Sequence, residues 1–420
     1  VNIRKNGDKY RRQYWDKVGP CIHTRNDQLA SQNTIHPSDD RVFSIRELMM
    51  MMTIPSSFRW TNISEQTLNS LSIEKKRAFL KKEEIKIRQC LGEAVPTAVF
   101  ESIADKIAFF FSRKHLSDAE VKKLIDTTDL SSLDRIINYI STNFDTIGIS
   151  SISKVVEYAN AKREHNAAFF TDKSILNEIM KYLPDIDKDV IHILEPSVGI
   201  GNFIPFIMKK YASAKSIIID VVDIDSDVIS VLKYIISKFT FPDSVTINFI
   251  NDDFLLHRFN KRYDLVIGNP PFNKLGSNNN TLTLYRAQAV NKDTTNTFSF
   301  FFEKAVQISE YVSLIVPKFL LNTPEFRKTR EILERKHIDS IIDFGEKGFK
   351  GVKIETISFI ANTRGIPGQT KVESYITNNT EIYEQSYITD PSYPYWLIYR
   401  NTKFDCVANK MTFDIFKVYR

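Results

Sequence analysis

No stretch constrains the fold of this chain more than Tyr-Asp-Leu-Val-Ile-Gly (Tyr263 to Gly268) with the Asn269-Pro270-Pro271-Phe272 that follows it. A short run that is apolar on both faces reads as a strand inside a parallel sheet, because helices cover both sides of such a sheet. Gly268 lets the chain turn at the carboxyl end of that strand, where open α/β sheets place their ligands. Two successive prolines stiffen the turn and remove two N–H donors, which leaves carbonyls there to accept. Asn269 adds an acceptor oxygen and a donor NH2, and Phe272 adds a flat apolar face. The set suits a planar molecule with an exocyclic amine, its amine held by oxygens and its ring stacked on Phe272. A proline-rich turn that merely closes a strand is the competing reading.

The surrounding sequence favours the first reading. From residue 166 to about 365 the pattern alternates strand and helix, as in a parallel sheet wrapped by helices. The apolar run Val190 to Leu194 ends in Glu195-Pro196-Ser197-Val198-Gly199-Ile200-Gly201, and a helix follows over 204–210. Glycines there let the backbone approach a ligand closely, although a tight strand–helix turn asks for them too. A second strand, Ser216 to Val222, closes on Asp223. That carboxylate comes roughly two dozen residues after the glycines, where an acid accepts ribose hydroxyls. Asp225 and Asp227 read better as caps of the next helix. A third strand, Val245 to Ile250, ends at Asn251-Asp252-Asp253-Phe254, where Asp253 can bond an adenine amine beside the ring of Phe254.

These strand ends, in this order, resemble the S-adenosylmethionine-dependent adenine-N6 DNA methyltransferases of the gamma arrangement. The resemblance implies a Rossmann-like α/β sheet with helices on both faces, S-adenosylmethionine as cofactor and double-stranded DNA as substrate. It makes Asn269, Pro270, Pro271 and Phe272 the catalytic set. Glu195, Pro196, Gly199, Gly201, Asp223, Asp253 and Phe254 would then surround the cofactor. Ala168-Phe169-Phe170-Thr171-Asp172, before a helix over 175–182, is similar to the family's first motif, which closes over the methionine end of the cofactor. That implies roles for Phe170 and Thr171. Thr297 to Ala305 resembles the family's helix after catalysis, and Val312 to Pro317 its next strand. Residues 341–352 resemble a later motif in which an aromatic stacks on the far face of a flipped base. Phe349 is the candidate there and Phe344 the alternate, with a plain core role the competing reading for either. The segment from Asn273 to Thr295, with Lys274, Arg286 and Lys292, fits a mobile loop that orders on DNA and offers cations to phosphates, and equally an ordinary surface loop.

The first 110 residues carry a second resemblance. Arg41-x-x-Ser44-x-Arg46-Glu47, followed by Ile54-Pro55-x-x-Phe58, is similar to a late motif of cytosine-5 DNA methyltransferases. Arg88-Gln89-Cys90-Leu91-Gly92-Glu93-Ala94-Val95-Pro96 resembles the last motif of that family, with Glu93 where the family usually has Asn. Ser44 and Glu47 also form a capping-box pattern, and the run Met49 to Met52 reads as helix core. No glycine-rich cofactor loop and no credible nucleophilic thiolate accompany this segment. Cys21 follows Pro20 without a preceding strand. We therefore read residues 1–110 as the C-terminal remnant of a cytosine-5 enzyme.

Domains are expected at 1–110 (remnant), 111–165 (helical connector, or alternatively a helical cap on the next domain), 166–365 (catalytic) and 366–420 (start of a target-recognition region, truncated). The chain begins with Val1 and is expected to be a fragment. A net charge of +6 permits a polyanionic partner. The three cysteines are far apart, form no metal-ligand spacing and fit a reducing compartment. No metal and no membrane segment is expected. The combined expectation is a cytoplasmic bacterial enzyme that methylates adenine at a specific DNA site and shields it from a cognate restriction endonuclease. The alternatives are modification of RNA or protein glutamine through the same tetrad, or a non-catalytic DNA-binding subunit.

Overall fold

The computed structural model describes residues 11–17, 21–29, 35–159, 171–349 and 354–410. The chain divides into two units, Val1–Arg113 and Lys114–Arg420. Among the described residues, no helix is long and apolar enough to cross a membrane.

In the first unit, helix α1 (Ile45–Met51) starts at a capping box. Ser44 Oγ accepts from the Glu47 backbone, and the Glu47 carboxylate accepts from the Ser44 backbone. The Arg41 guanidinium grips both oxygens of Glu47 at 2.8 and 2.9 Å. It holds that carboxyl well below the usual range, at about 2. Helices α2 (Glu65–Ser70), α3 (Ile73–Glu93) and α4 (Thr97–Ser112) follow. Leu48, Met49 and Met52 pack with Leu91 of α3, so the methionine run is core at two positions, whereas Met50 is exposed. Arg88 is buried and bonds the Phe43 carbonyl and the Asn26 side chain, tying α3 to two earlier loops.

The second unit is built on a nine-stranded sheet. Its strands are β1 (Val190–Glu195), β2 (Ser216–Asp223), β3 (Val245–Asn251), β4 (Tyr263–Gly268), β5 (Ser309–Pro317), β6 (His337–Gly345), β7 (Thr356–Asn362), β8 (Gln369–Ser374) and β9 (Asn379–Glu384). They lie in the order β3-β2-β1-β4-β5-β7-β6-β8-β9. The first five positions are parallel, and β7 is antiparallel to both neighbours, β5 and β6. β1 touches both β2 and β4, so the chain reverses its direction of travel across the sheet there. Such a switch point leaves a crevice at the carboxyl ends of the strands. Every residue of β4 is buried. Its one carboxylate, Asp264, is satisfied by the His192 backbone and by Lys188.

Helices α5 (Asp118–Thr127), α6 (Leu133–Asn143) and α7 (Ile149–Ala159) precede the sheet. After them come α8 (Lys173–Tyr182), α9 (Ile204–Lys210), α10 (Ser226–Ser237), α11 (Asn280–Gln288), α12 (Thr297–Ile308) and α13 (Arg327–Glu334). Ile140 of α6, Phe144 just after it, and Ile152 and Val156 of α7 pack on Val231 and Ile235 of α10. The expected connector therefore covers the α/β layers as a cap. The expected break at residue 365 is not a break in the sheet. β8 pairs in parallel with β6 and carries β9 at its far side. Beyond them Trp396 is buried against the same core, its ring N–H on Glu334.

Candidate active site

The crevice is a cavity of about 240 Å³ that gathers the ends of β1, β2, β3 and β4. After β1 the backbone turns through two left-handed glycines, Gly199 at φ +53° and Gly201 at φ +78°. Gly199 faces open space and lines the cavity, whereas a Cβ on Gly201 would meet Ile204 and Leu232 side chains at 2.8 Å. Gly199 thus lets backbone approach a ligand, and Gly201 lets the loop pack down on its helices. Gly268 differs from its expected role, because its φ is not left-handed. A Cβ there would press on Pro196 Cδ at 3.1 Å, so close contact of two strand ends is what requires glycine.

Two carboxylates face this loop. Asp223 accepts from the backbone N–H groups of Gly199 and Asp225, both at 3.0 Å. Burial pushes its carboxyl up, those N–H bonds pull it down, and the charge of Asp225 pushes it up again. Glu195 is 1% exposed, and its Oε2 has no hydrogen-bond partner among the described residues. Burial, and then the charge of Asp223, raise its carboxyl well above the usual range. A buried acidic pair of this kind is at its least stable without a cation nearby.

At the end of β3, Asp253 closes its own turn by accepting from the Leu255 backbone at 2.9 Å. Its other oxygen accepts from the Tyr285 hydroxyl at 2.7 Å. Phe254 lines the cavity while stacking on Phe301, with centroids 4.9 Å apart and planes at 29°.

After β4, the NH2 of Asn269 donates to Thr171 Oγ1 at 3.2 Å. Ser197 Oγ donates to the Asn269 carbonyl at 3.0 Å, and Thr297 Oγ1 donates to the Pro271 carbonyl at 2.6 Å. Thr171, Pro196, Asn269 and Pro271 all line the cavity. Pro270 lies between the two held carbonyls and is buried. Phe170, with Ala168 and Phe169 of the same motif, lies outside the described residues, as do Lys350, Gly351 and Val352 after Phe349.

The aromatic pair departs from expectation. Phe272 and Phe349 are 7% and 3% exposed, and their rings meet edge-on, 5.8 Å apart at 62°. A base between two rings needs about 7 Å, two van der Waals contacts, so here the rings fill each other's space. Phe344 is fully buried against Tyr375. The segment after the tetrad is also unlike a mobile loop. It contains α11, it buries Leu282, Asn291 and Thr294, and Lys274 pairs with Asn296 across its base. Lys274 is near Glu325 and Arg286 bonds the Thr294 carbonyl, so two of the three expected phosphate contacts are engaged internally. Lys292 is exposed.

Sequence reasoning missed Tyr285, Thr297 and Ile224 as cavity-lining residues. Ile224 was findable: an apolar residue between two aspartates at a strand end is 64% exposed and has a cavity beside it. Nothing local marks Tyr285 or Thr297.

The sheet order and the switch-point site define the class: this is the mixed α/β fold of S-adenosylmethionine-dependent methyltransferases. Residues 209–349 match the family model described as Eco57I restriction-modification methylase. The chain is 25% identical over 272 residues to the type II methyltransferase M.VspI of Vibrio sp. (strain 343), covering 63% of this chain and 64% of that protein. It is 32% identical over 120 residues to the type II methyltransferase M1.HgaI of Avibacterium volantium, covering 25% of this chain and 29% of the other. Among solved structures, it resembles a protein of Listeria monocytogenes provisionally described as a class I S-adenosylmethionine-dependent methyltransferase, with TM-score 0.45 and 17% identity over 60% of this chain and 83% of that one. Both of these sequence relatives are type II methyltransferases, and the chain spans less than two thirds of the length of each.

The cofactor of this fold is S-adenosylmethionine, and the residues present fit it. The molecule bears a sulfonium and an ammonium, and the cavity offers Glu195 and Asp223, which form no ion pair with a described cation. Gly199 leaves room beside them.

Proposed function

We propose that the chain transfers a methyl group to the N6 amine of an adenine flipped out of double-stranded DNA. The mark would protect a specific site from a cognate restriction endonuclease. The observation that carries this reading is the placement of Asn269. It lines the cavity at the end of β4, and its NH2 donates to Thr171, which fixes the plane of an amide whose oxygen is the kind of atom that an amine needs. Beside it, the Pro270 carbonyl sits between two carbonyls fixed by Ser197 and Thr297. Two adjacent acceptors suit an amine with two hydrogens to give.

An exocyclic amine conjugated with its ring is a poor nucleophile. Accepting its hydrogens at Asn269 and Pro270 draws the nitrogen toward tetrahedral geometry and localises its lone pair. The bonds from Thr171, Ser197 and Thr297 fix these acceptors before substrate arrives, so their dipoles need no reorganisation during the reaction. When bound, S-adenosylmethionine supplies an electrophilic methyl group carried on sulfur. Glu195 is the group that would hold its ammonium, and Asp223 its ribose hydroxyls. Flipping a base out of a duplex costs a few kcal/mol, and Phe272 with Phe349 are the aromatic groups to offset it. Their edge-on packing means that one ring must turn before a base can sit between them.

We also infer that residues 1–110 are the C-terminal part of a cytosine-5 methyltransferase, so that a fused pair marks different bases on the two strands of an asymmetric site. The supporting features are the Arg41–Glu47–Ser44 turn and the buried Arg88 that anchors it to α3. Methylation mapping that finds both marks on one symmetric site sinks this part.

The main test supplies tritiated S-adenosylmethionine with duplex DNA, RNA or protein separately. Label should enter duplex DNA, and Asn269→Ala or Pro271→Ala should abolish transfer while cofactor still binds. Methylation retained in either variant, or label confined to RNA or protein, overturns the proposal.

A further inference from the structure

Tyr285 stands apart from the motifs yet touches the cofactor side of the site. It lies on α11, in the segment that leaves the tetrad and returns to α12, and that segment is pinned at its base by the Lys274 and Asn296 pairing. The hydroxyl of Tyr285 donates to Asp253 Oδ2 at 2.7 Å. Asp253 Oδ1 is held by the Leu255 backbone at 2.9 Å. One carboxylate is therefore fixed at both oxygens. Tyr285 also lines the main cavity together with a smaller one of about 60 Å³ behind it. Behind the same turn, the Lys304 ammonium bonds the Leu255 and His257 carbonyls at 2.8 and 2.7 Å. Burial, and then the bond to Asp253, push the phenol of Tyr285 up, so it stays a donor throughout the working pH range.

We propose that Tyr285 is a positioning residue for the nucleoside end of the cofactor, fixing the Asp253 carboxylate in the orientation from which it accepts the exocyclic amine of adenine. The proposal rests on the reading that this cavity binds S-adenosylmethionine. A carboxylate oxygen has lone pairs for two donors, so Oδ2 can accept from Tyr285 and from an amine together. The last torsion of an aspartate is broad, and without the phenol the carboxylate turns. A turned carboxylate bonds the amine less well and also escapes repulsion from a 6-oxo purine, which presents an acceptor in its place. Tyr285 therefore sets selectivity as well as affinity.

The test measures, by calorimetry on the full chain, binding of S-adenosylhomocysteine and its inosine counterpart, S-inosylhomocysteine. Wild type should favour the adenosyl form. Tyr285→Phe should weaken that form about tenfold, the scale of one hydrogen bond to a charged group, and leave the inosyl form unchanged or tighter. In turnover, the loss should fall on KM for the cofactor and not on kcat. A selectivity ratio equal to wild type in a Tyr285→Phe protein of unaltered melting temperature overturns the proposal. Asp253→Asn gives a second route. If Tyr285 acts through Asp253, the double variant loses no more selectivity than Asp253→Asn alone, and additive losses overturn the idea. Wild type that binds neither nucleoside refutes the cofactor reading itself. Wild type that binds both equally spares that reading and sinks the role given to Asp253 and Tyr285.

Discussion

Glu195→Gln separates what the site needs from what the fold prefers. The carboxyl of Glu195 is raised by burial and by the neighbouring charge of Asp223, and Oε2 lacks a partner among the described residues. In the folded protein it therefore holds its proton to a higher pH than in the unfolded chain. The stability linked to this group is complete below the unfolded value, about 4.3. It is lost as pH rises through the raised folded value, since the unfolded chain then binds fewer protons. Glutamine removes that penalty, so Glu195→Gln should melt at a higher temperature than wild type near pH 8 and at a similar one near pH 4. Ligand binding runs the other way. A cationic ligand favours the ionised carboxylate, so binding expels a proton below the free protein's value, and affinity climbs with pH until that value is passed. A hydrogen bond to a charged group is worth about 1.5–3 kcal/mol, so the glutamine variant should bind S-adenosylhomocysteine roughly 10- to 100-fold more weakly. Its affinity should also lose most of its pH dependence. Calorimetry from pH 5.5 to 8.5, paired with thermal melts, reads both effects. A variant that binds like wild type, or a wild type whose affinity is flat with pH, refutes the reasoning.

Two further substitutions examine the scaffold, beside the tetrad and Tyr285 variants described above. Gly201→Ala places a Cβ at φ +78° against Ile204 and Leu232. Left-handed backbone alone costs an alanine about 1–2 kcal/mol, so the melting temperature should fall by several degrees; an unchanged melt means that the loop is not packed as described. Thr297→Val removes the hydroxyl that holds the Pro271 and Asn273 carbonyls. It should lower kcat by roughly tenfold at unchanged cofactor affinity, on the scale of ~1–2 kcal/mol for a buried bond left unmade. Parallel losses in kcat and cofactor affinity would place Thr297 with the cofactor instead of the tetrad.

The parts legible in the sequence are those written by local pattern. β1, β2 and β4 are apolar runs ended by glycine, acid or proline, and their ends were readable as site residues for that reason. β7 and β8 were not read as strands, because Thr356 to Asn362 follows a region of glycines and charges, and β8 alternates polar residues along its length. Their place is set by pairing with β5 and β6, a long-range choice that local propensity does not encode. The tetrad's chemistry was legible from residue types, but its orientation was not. Thr171 and Thr297 lie far from Asn269 in sequence, and only the fold makes the first the acceptor for the Asn269 NH2 and the second the donor to the Pro271 carbonyl. Phe272 misled in the opposite way: its flat face was inferred from residue type, yet the ring is spent on Phe298 and Phe349. The segment after the tetrad looked like a loop because its composition is polar. Its buried Asn291 is satisfied by Glu303 on α12 and Thr329 on α13, and its buried Thr294 by Arg286 and the Asn296 backbone, which composition cannot reveal.

The pairing of Lys274 with Asn296 makes that segment a cartridge: both ends are clamped at one place, and an exposed stretch from Gly276 to Asn280 follows the first clamp. Loop-closure entropy grows slowly, by about 0.6 kcal/mol per doubling of length, so this stretch can be lengthened, shortened or exchanged at small energetic penalty. Diversification is free there in a way that it is not at the tetrad. One thread limits the freedom. An exchanged cartridge that drops Tyr285 releases Asp253, so altering the outer loop retunes the nucleoside pocket on the inner side.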